Sequence, residues 1–589
     1  MPDSLPLWDL TDLYSSETDR LNADLSALQA GADSLSRHQG TIASLSGEVL
    51  GGLISDYEAL SEQMSRMMSF ADLSFAADMS DAQTGTYAQN MREALSDISA
   101  RLVFFELELA ALDEERYQDA LAAPEFYHYE PWLRRLRLGA PYQLEPRLEQ
   151  MLVERSPAGR GAWIRLFDET MTSLRFELSG ETVGEAEILN ALSHTDADIR
   201  REAGQSFSSV MQDNQRLLSL VLNTIAKDKE IDDRWRGFSR PVSSRNLAND
   251  VDDAVVDALA STVTSRMADI SHRYYRLKAT WMGVDRLNWW DRNAPLPGDD
   301  DRRYGWSEAR SLVLDAFGQF DPSMAQTASR FFDESWIDAG IRPGKASGAF
   351  SHPTVPSSHP YILMNFDGRA RDVMTLAHEM GHGIHQVLAA DKGYLMADTP
   401  LTLAETASVF AEMLTFTALL EQTESPAQRR FMLAGKIEDM MNTVIRQIAF
   451  HNFETQLHDS RKSGELSADQ LSDIWMETQA QALGDAIILD DSYRPIWSYI
   501  PHFVHTPFYV YAYAFGDCLV NALWQQYQTS DASGRASFTD NYISLLSAGG
   551  SLRYDDALAP FGLDAKDAAF WSLGLDMISS MIDELEALS

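Results

Sequence analysis

A single cysteine, Cys518, stands in a chain of 589 residues. One thiol excludes an intramolecular disulfide framework and any cysteine-rich zinc or iron–sulfur site, and it points to a reducing compartment. Basic residues are scarce too: 48 Lys and Arg face 88 Asp and Glu, for a net charge of −40. Surfaces that hold phosphates or anionic lipids need clustered Lys and Arg, so neither nucleic acid nor a membrane is expected as a partner. No uninterrupted apolar run approaches the roughly 18 residues of a membrane span. The opening MPDSLPLWDLTDLY lacks the basic and apolar regions of a secretory signal, so a cytoplasmic protein is expected. Hydrophobic residues still reach 45%, enough for globular cores and too many for large-scale disorder.

Proline is absent from Ser55 to Glu115, where Gly85 is the only glycine. Leu60, Met64, Met67 and Met68, and then Leu102, Phe105, Leu109 and Leu112, recur at helical spacing. The methionines read as core filler, since a flexible thioether fills irregular gaps. Pro124, Pro131, Pro141 and Pro146 punctuate what reads as a connecting region. Helical pattern resumes near Ala162 and runs past Asp232. Trp289, Trp290, Pro295 and Pro297 mark an irregular stretch. The acidic run Asp299–Asp301 after it reads as a solvated loop, without the alternating oxygen ligands of a calcium loop. Between Gly344 and Gly368 the pattern changes, and Ser347–Ser351 and Tyr361–Phe366 read as strands. Helical pattern returns at Asp372 and continues to the end. A mainly α protein with one small β element follows.

Residues 378–382 read His-Glu-Met-Gly-His. Positions four apart share a helical face, so His378 and His382 can present two imidazoles to one ion, and Glu379 can reach a water bound there. Thirteen histidines in 589 residues would give this pattern by chance about 0.02 times. Two unrelated histidines on a mostly buried helix would each need a partner, and one shared zinc serves both. A catalytic zinc takes three protein ligands and a water. The extended motif with a third histidine six residues beyond His382 is excluded by Leu388. His385 lies near the same stripe, but three ligands on one straight helix cannot easily surround an ion. His385 is therefore expected beside the ligands or facing substrate. The stretch 402–414 reads as a second helix, on which Glu405 and Glu412 are seven apart and share a face. A glutamate on an apolar helix is costly unless paired or coordinated. Glu405 is expected to complete the ligand set, and Glu412 to orient a ligating histidine.

Zinc lowers the pKa of a bound water to about 7 and polarises a carbonyl. Glu379 is placed to take that water's proton and pass it to a leaving amine. The attacked carbonyl oxygen gains negative charge and needs donors. IPHFVHTPFYVYAYAFG, Ile500–Gly516, offers them: His502 and His505 precede Tyr509, Tyr511 and Tyr513. On a helix Tyr509 and Tyr513 share a face and Tyr511 points elsewhere. Any one of these tyrosines could be a core residue with a satisfied hydroxyl, but polar-tipped rings and histidines together would fill a core poorly. The strands upstream could take an extended peptide on an exposed edge, with Gly344, Gly348 and the Ser357–Ser358 pair allowing close backbone approach.

Together these blocks resemble the oligoendopeptidase F family of zinc metallopeptidases, distant relatives of thimet oligopeptidase. The resemblance runs nearly end to end: WDLTDLY (Trp8–Tyr14), HRYYRLKA (His272–Ala279), GKASGAF (Gly344–Phe350), HPYILMNFDG (His359–Gly368), LAHEMGHGIH (Leu376–His385), LAETAS (Leu403–Ser408) and PHFVHTPFYVYAYAFG (Pro501–Gly516). It implies one zinc on His378, His382 and Glu405, with Glu379 as catalytic base and acid. It implies that the His/Tyr block binds substrate and stabilises the oxyanion, with His502 and Tyr513 catalytic and His505, Tyr509, Tyr511 and Gly348 in contact with substrate. The implied fold is two helical lobes flanking a channel for short unfolded oligopeptides, with a small sheet beside the zinc helix. The expected division is an N-terminal helical region over 1–200 and a catalytic region over 201–589. His505 stands where many relatives carry an aromatic or small polar residue, a departure that bears on cleavage preference. Two other readings of the same motifs are an inactive peptide binder, which would not need Glu379, and a carboxypeptidase, which would need a cationic clamp for the terminal carboxylate.

Overall fold

The computed structural model describes residues 5–14, 18–296 and 302–588. Pro297 and the acidic run Asp299–Asp301 lie outside them. Two compact units emerge, each built from three stretches. The first comprises 1–141, 301–422 and 527–563, and the second 142–300, 423–526 and 564–589. The chain is thus interleaved rather than divided near residue 200. Periodicity reports which face of a helix is buried but not against which distant helix, so it could not show this.

In the first unit the proline-free stretch forms two helices, Gly47–Ala77 and Ala82–Ala110, rather than one run. Ser46 caps the first, accepting from the Val49 amide. Asp81 caps the second, accepting from Gln83 at 2.9 Å, so the chain turns at Asp78–Asp81. The prolines behave differently from the expectation of a connector. Pro124 and Pro131 sit in the first turns of Pro124–Tyr127 and Glu130–Leu138, and Pro146 opens Pro146–Arg155 in the second unit. A first turn needs no amide donor and suits the fixed φ of proline.

The expected pair of strands exists with a third beside it. Phe350–His352 runs antiparallel to Tyr361–Leu363, and Ile337–Asp338 pairs parallel to the latter on its other side. Tyr361–Leu363 is therefore central and fully buried, and Phe350–His352 is an edge. Asp338 and Lys345 form an ion pair at 2.8 Å with both side chains essentially inaccessible, and Arg342 closes on the same carboxylate at 2.6 Å. The Lys345 ammonium also donates to the carbonyls of Gly340 and Met364. Every donor finds an acceptor, the condition under which a buried charge pair is tolerated. The pair pins the segment leading into the edge strand.

Behind the sheet, Ala370–Ala389 carries the histidine motif and packs along Thr406–Gln422. The stretch Thr402–Gln422 is apolar and long enough to cross a membrane by length and composition, yet 61% of its apolar window is buried inside the protein. It serves as a core helix. Phe410 meets Phe320 at 5.1 Å and Tyr542 at 4.4 Å, and the Tyr542 hydroxyl donates to the Thr406 carbonyl at 2.9 Å.

The second unit is organised on the helix Ala197–Arg236, capped by Asp196 and ended by Gly237 in the left-handed conformation. Against it pack Arg160–Ser173, Ile445–Arg461 and a hairpin, Phe176–Leu178 with Glu181–Val183. The hairpin interrupts what reads in sequence as continuous helix. Its turn residues Ser179 and Gly180 both have positive φ, 53° and 82°, the geometry of a two-residue hairpin turn.

Glu454, fully buried on Ile445–Arg461, accepts from the Phe508 amide at 2.7 Å. Burial pushes its carboxyl up to about 8, against the Phe508 amide, Arg245 and Lys229. The folded protein then keeps a proton that the unfolded chain releases above pH about 4.5. The native state binds more protons across that window, so this group subtracts stability as pH rises from about 4.5 to 8. Glu454→Gln keeps the acceptor and removes the titration. We expect its unfolding midpoint to gain on the wild type from pH 5 to pH 8.5, measured in urea at both values. An unchanged difference would refute this.

Candidate active site

Arg369 precedes the motif helix, and Asp372 in its first turn accepts from the Arg369 and Asp367 amides, each at 2.9 Å. The helix runs unbroken from Ala370 to Ala389. His378 and His382 project from one face with ring centroids 5.0 Å apart. The second helix differs from the continuous run expected over 402–414: it breaks at Glu405, between Leu401–Ala404 and Thr406–Gln422. From that break Glu405 Oε2 reaches 3.6 Å from His378 Nε2 and 3.5 Å from His382 Nε2. The three ligand atoms lie within 4.8 Å of one another. Tetrahedral zinc with ligands at about 2.0–2.1 Å would set neighbouring ligand atoms about 3.3 Å apart. Two imidazoles and a carboxylate at this spacing fit that ion, and the donor set suits a catalytic zinc.

The surrounding groups hold these ligands. Glu412 Oε2 lies 3.4 Å from His378 Nδ1, which leaves Nε2 as the ligating nitrogen. Ser408 donates to Glu405 Oε2 at 2.6 Å. Burial opposes charge on His378, but the Glu412 hydrogen bond and the Glu405 and Glu379 charges outweigh it and draw its imidazole above the usual range. Burial holds His382 low, the neutral state a ligand needs. Glu379 is 7% exposed. Burial pushes its carboxyl up to about 7, helped by the Glu405 charge and opposed by His378 and the Ser351 amide. A base poised near neutral pH is the useful kind.

His385 is absent from the ligand cluster. It is buried, 3.1 Å from Thr399 Oγ1, and burial drives its imidazole down to about 4. It lines a cavity of about 1090 Å³ in the first unit with His382, Gln386, His352 and Arg135. Gln386 also ties the motif helix to the edge strand, accepting from Ser351 Oγ at 3.0 Å. Gly348, two residues before that strand, has φ of 81°. A side chain there would meet open space within the protein, and the positive φ itself favours glycine.

Gly381, inside the motif, carries no titratable group and gives no sign of its part in the sequence. A Cβ there would lie 2.5 Å from the Ala407 carbonyl and 2.7 Å from Ser408 Cα. Glycine lets the two helix backbones approach closely enough for Glu405 to reach both histidines. Gly381→Ala is expected to destabilise the fold by about 2–3 kcal/mol, the scale of overpacking against rigid backbone, and to weaken metal retention. Denaturant unfolding with a zinc assay checks both, and wild-type values would refute the packing argument.

In the second unit, His502, Tyr509 and Tyr513 come together. His502 Nε2 is 3.3 Å from the Tyr513 hydroxyl, and the Tyr509 and Tyr513 rings meet at 5.3 Å. Tyr513 is 39% exposed. Tyr509 precedes the helix Tyr511–Thr529 rather than lying on it, and Phe508 before it has φ of 61°. One of the expected substrate contacts differs from its expectation. Tyr511 is fully buried with its hydroxyl accepting from Asn249 at 2.8 Å, so it packs the interior. His505 pairs with Asp168 at 2.7 Å, and its carbonyl accepts from Arg160, which ties it to the helix Arg160–Ser173 while its side chain stays 39% exposed.

A helical scaffold with two histidines, a glutamate and a buried basic carboxylate defines a metallopeptidase. Residues 320–577 match peptidase family M3, and residues 108–176 match the Oligopeptidase F domain. The chain belongs to peptidase family M3 and is a metalloendopeptidase of the oligoendopeptidase F kind. Among relatives, it is 25% identical to oligopeptidase PepF of Bacillus subtilis, over 99% of this chain and 87% of that one. It is 24% identical to group B oligopeptidase PepB of Streptococcus agalactiae, over 99% and 96%. Its fold is shared with oligoendopeptidase-F from Enterococcus faecium, with TM-score 0.71 and 21% identity over 97% of this chain and 99% of that one. A chain from Chlamydophila abortus superimposes with TM-score 0.89 at 22% identity, over 99% and 98%.

Proposed function

We propose that this chain is a zinc-dependent endopeptidase that hydrolyses internal bonds of short unfolded oligopeptides, with Glu379 as general base and then general acid. The observation that carries this is the cluster of His378, His382 and Glu405 ligand atoms within 4.8 Å, with buried Glu379 one residue along. Zinc bound there supplies an acidified water and a Lewis acid for the scissile carbonyl.

The chain's own groups do the rest. Glu379 takes the proton of the attacking water as its oxygen bonds to the carbonyl carbon. It then passes that proton to the amine nitrogen as the C–N bond breaks, and carboxylic acid and amine are the products. The edge strand Phe350–His352 offers its free side to an extended peptide, whose main chain would add to the sheet. The 1090 Å³ cavity beside His382 is large enough for side chains on one flank of the scissile bond. Tyr513, assisted by His502, is assigned the donor to the developing oxyanion, with Tyr509 beside it for substrate contact. The lone Cys518 is fully buried, which suits a reducing cytoplasm.

Internally quenched peptides with both ends blocked test the reading. We expect cleavage at internal bonds, loss of cleavage with a zinc chelator and recovery on adding zinc. Cleavage confined to peptides with free ends would make the enzyme an exopeptidase. Cleavage that survives chelation would remove the metal from the mechanism.

A further inference from the structure

The second unit holds a pair of half-buried cations that the peptidase chemistry does not use. Arg292 and Arg446 both line a void of about 40 Å³, walled by Phe207, Trp289, Trp290 and Tyr499. Both also line an adjoining void of about 10 Å³. Neighbouring charges are already matched. Lys278 pairs with Glu438 at 2.6 Å, and Arg200 with Asp291 at 2.9 Å. Among the described residues no carboxylate lies within ion-pair distance of Arg292 or Arg446. Their partners are neutral: Arg446 donates to the Tyr499 hydroxyl at 2.8 Å and lies over the Phe450 ring, and Arg292 reaches the Asn293 side-chain oxygen at 3.4 Å and hydrogen-bonds Tyr493. Arg446 Nε is buried with no hydrogen-bond acceptor.

Two half-buried guanidiniums with no carboxylate partner stand out in a protein of net charge −40. A half-buried charge without a counter-charge loses part of its hydration, and the buried Arg446 N–H without an acceptor adds to that cost. One anion removes both penalties. Guanidinium donors favour it, and it need not be large. A void near 40 Å³ holds a few water-sized centres, since one water needs about 10–15 Å³ measured this way. A peptide residue or a nucleotide does not fit.

We propose that the Arg292–Arg446 pocket is a binding site for one small monovalent anion of the chloride class. The ion sits between the guanidiniums, accepts from Arg446 Nε and is walled by indole and phenol rings. Its position also bears on the His/Tyr face. Tyr499, which accepts from Arg446, lies three residues before His502. Burial, then His505 and Arg446, hold the His502 imidazole below its usual range. An ion in the pocket screens the Arg446 part of that field. This consequence alone rests on the role assigned to His502 above.

The site is tested on the zinc-loaded full chain without any activity assay, so its failure and that of the peptidase reading are separable. Crystals soaked in sodium bromide are expected to show an anomalous peak between Arg292 and Arg446. In solution, replacing gluconate by 0.3 M chloride at fixed ionic strength is expected to raise the thermal midpoint by about 1–3 °C, as mass action on the folded state predicts. Arg446→Gln and Arg292→Gln, each a neutral polar replacement, are expected to lose that increment. If either variant does not fold, the bromide soak of the unaltered protein remains decisive. No anomalous peak in the pocket, or equal midpoints in chloride and gluconate, overturns the proposal.

Discussion

Glu379→Gln is expected to lower kcat by about 10³- to 10⁴-fold, the upper part of the range for loss of a general base, with zinc content and fold unchanged. The substitution is nearly isosteric at a position only 7% exposed, so packing is kept. Glutamine can still accept a hydrogen bond from the Ser351 amide, but it cannot hold the proton in transit between water and leaving amine. Glu379 also differs chemically from the three proposed metal ligands. Its carboxyl sits near 7 because burial penalises the anion, whereas Glu405 is 42% exposed at its side chain and lies against two imidazoles. The two carboxylates thus differ in environment as the proposed roles of base and ligand require, although the sequence presents both simply as helical glutamates. KM should move less than about threefold if the peptide is held by strand edge and cavity rather than by Glu379. Steady-state kinetics with metal analysis checks this. A variant that keeps wild-type kcat would remove Glu379 from the reaction, and one that loses zinc would recast it as a ligand-supporting residue.

Much of this site was legible in the sequence because its signal is local. Two histidines four apart on a helix must share a face, and a glutamate between them must lie close by. Glu405 and Glu412, seven apart, also meet that expectation, since both approach His378. The break at Glu405 was not legible, because Thr-Leu-Ala-Glu-Thr-Ala-Ser-Val has good helical pattern throughout. What opens the helix is tertiary: the carboxylate is turned toward the histidines, and the Thr406 carbonyl is taken by Tyr542. Gly381 shows the same limit. Its function is an absence of atoms against Ala407 and Ser408, which only the neighbouring helix reveals.

The His/Tyr block was read as a group, and the structure separates it by burial. Tyr513 is exposed and Tyr511 is not, because on the helix that begins at Tyr511 positions two apart lie about 200° around the axis, on nearly opposite faces. The contact of His505 with Asp168, on a helix far earlier in the chain, had no local signal. In the fold, the hairpin after Ser173 carried a Ser-Gly turn signal that was available and unused. The interleaving of the two units had no local signal, because it depends on which apolar faces meet across hundreds of residues.

Glu405→Ala is expected to abolish stable zinc binding, and activity with it, while leaving the fold intact. His378 and His382 alone would offer two ligands from one helix, and a catalytic site needs a third. No neighbour can substitute. Glu412 is engaged on the far nitrogen of His378, and His385 is turned to Thr399. The substitution removes a partly exposed carboxylate, so it leaves no large cavity and little effect on stability is expected. Ser408→Ala gives the graded comparison. It removes the 2.6 Å hydrogen bond that orients Glu405 but leaves the ligand, and should weaken zinc by about 10-fold, the low end for loss of an orienting group. Zinc per chain after dialysis, followed by competition against a chromophoric chelator, separates the two effects. Full zinc retention in Glu405→Ala would require a different third ligand. Equal losses in the two variants would mean that Glu405 acts only through the conformation that Ser408 helps to hold.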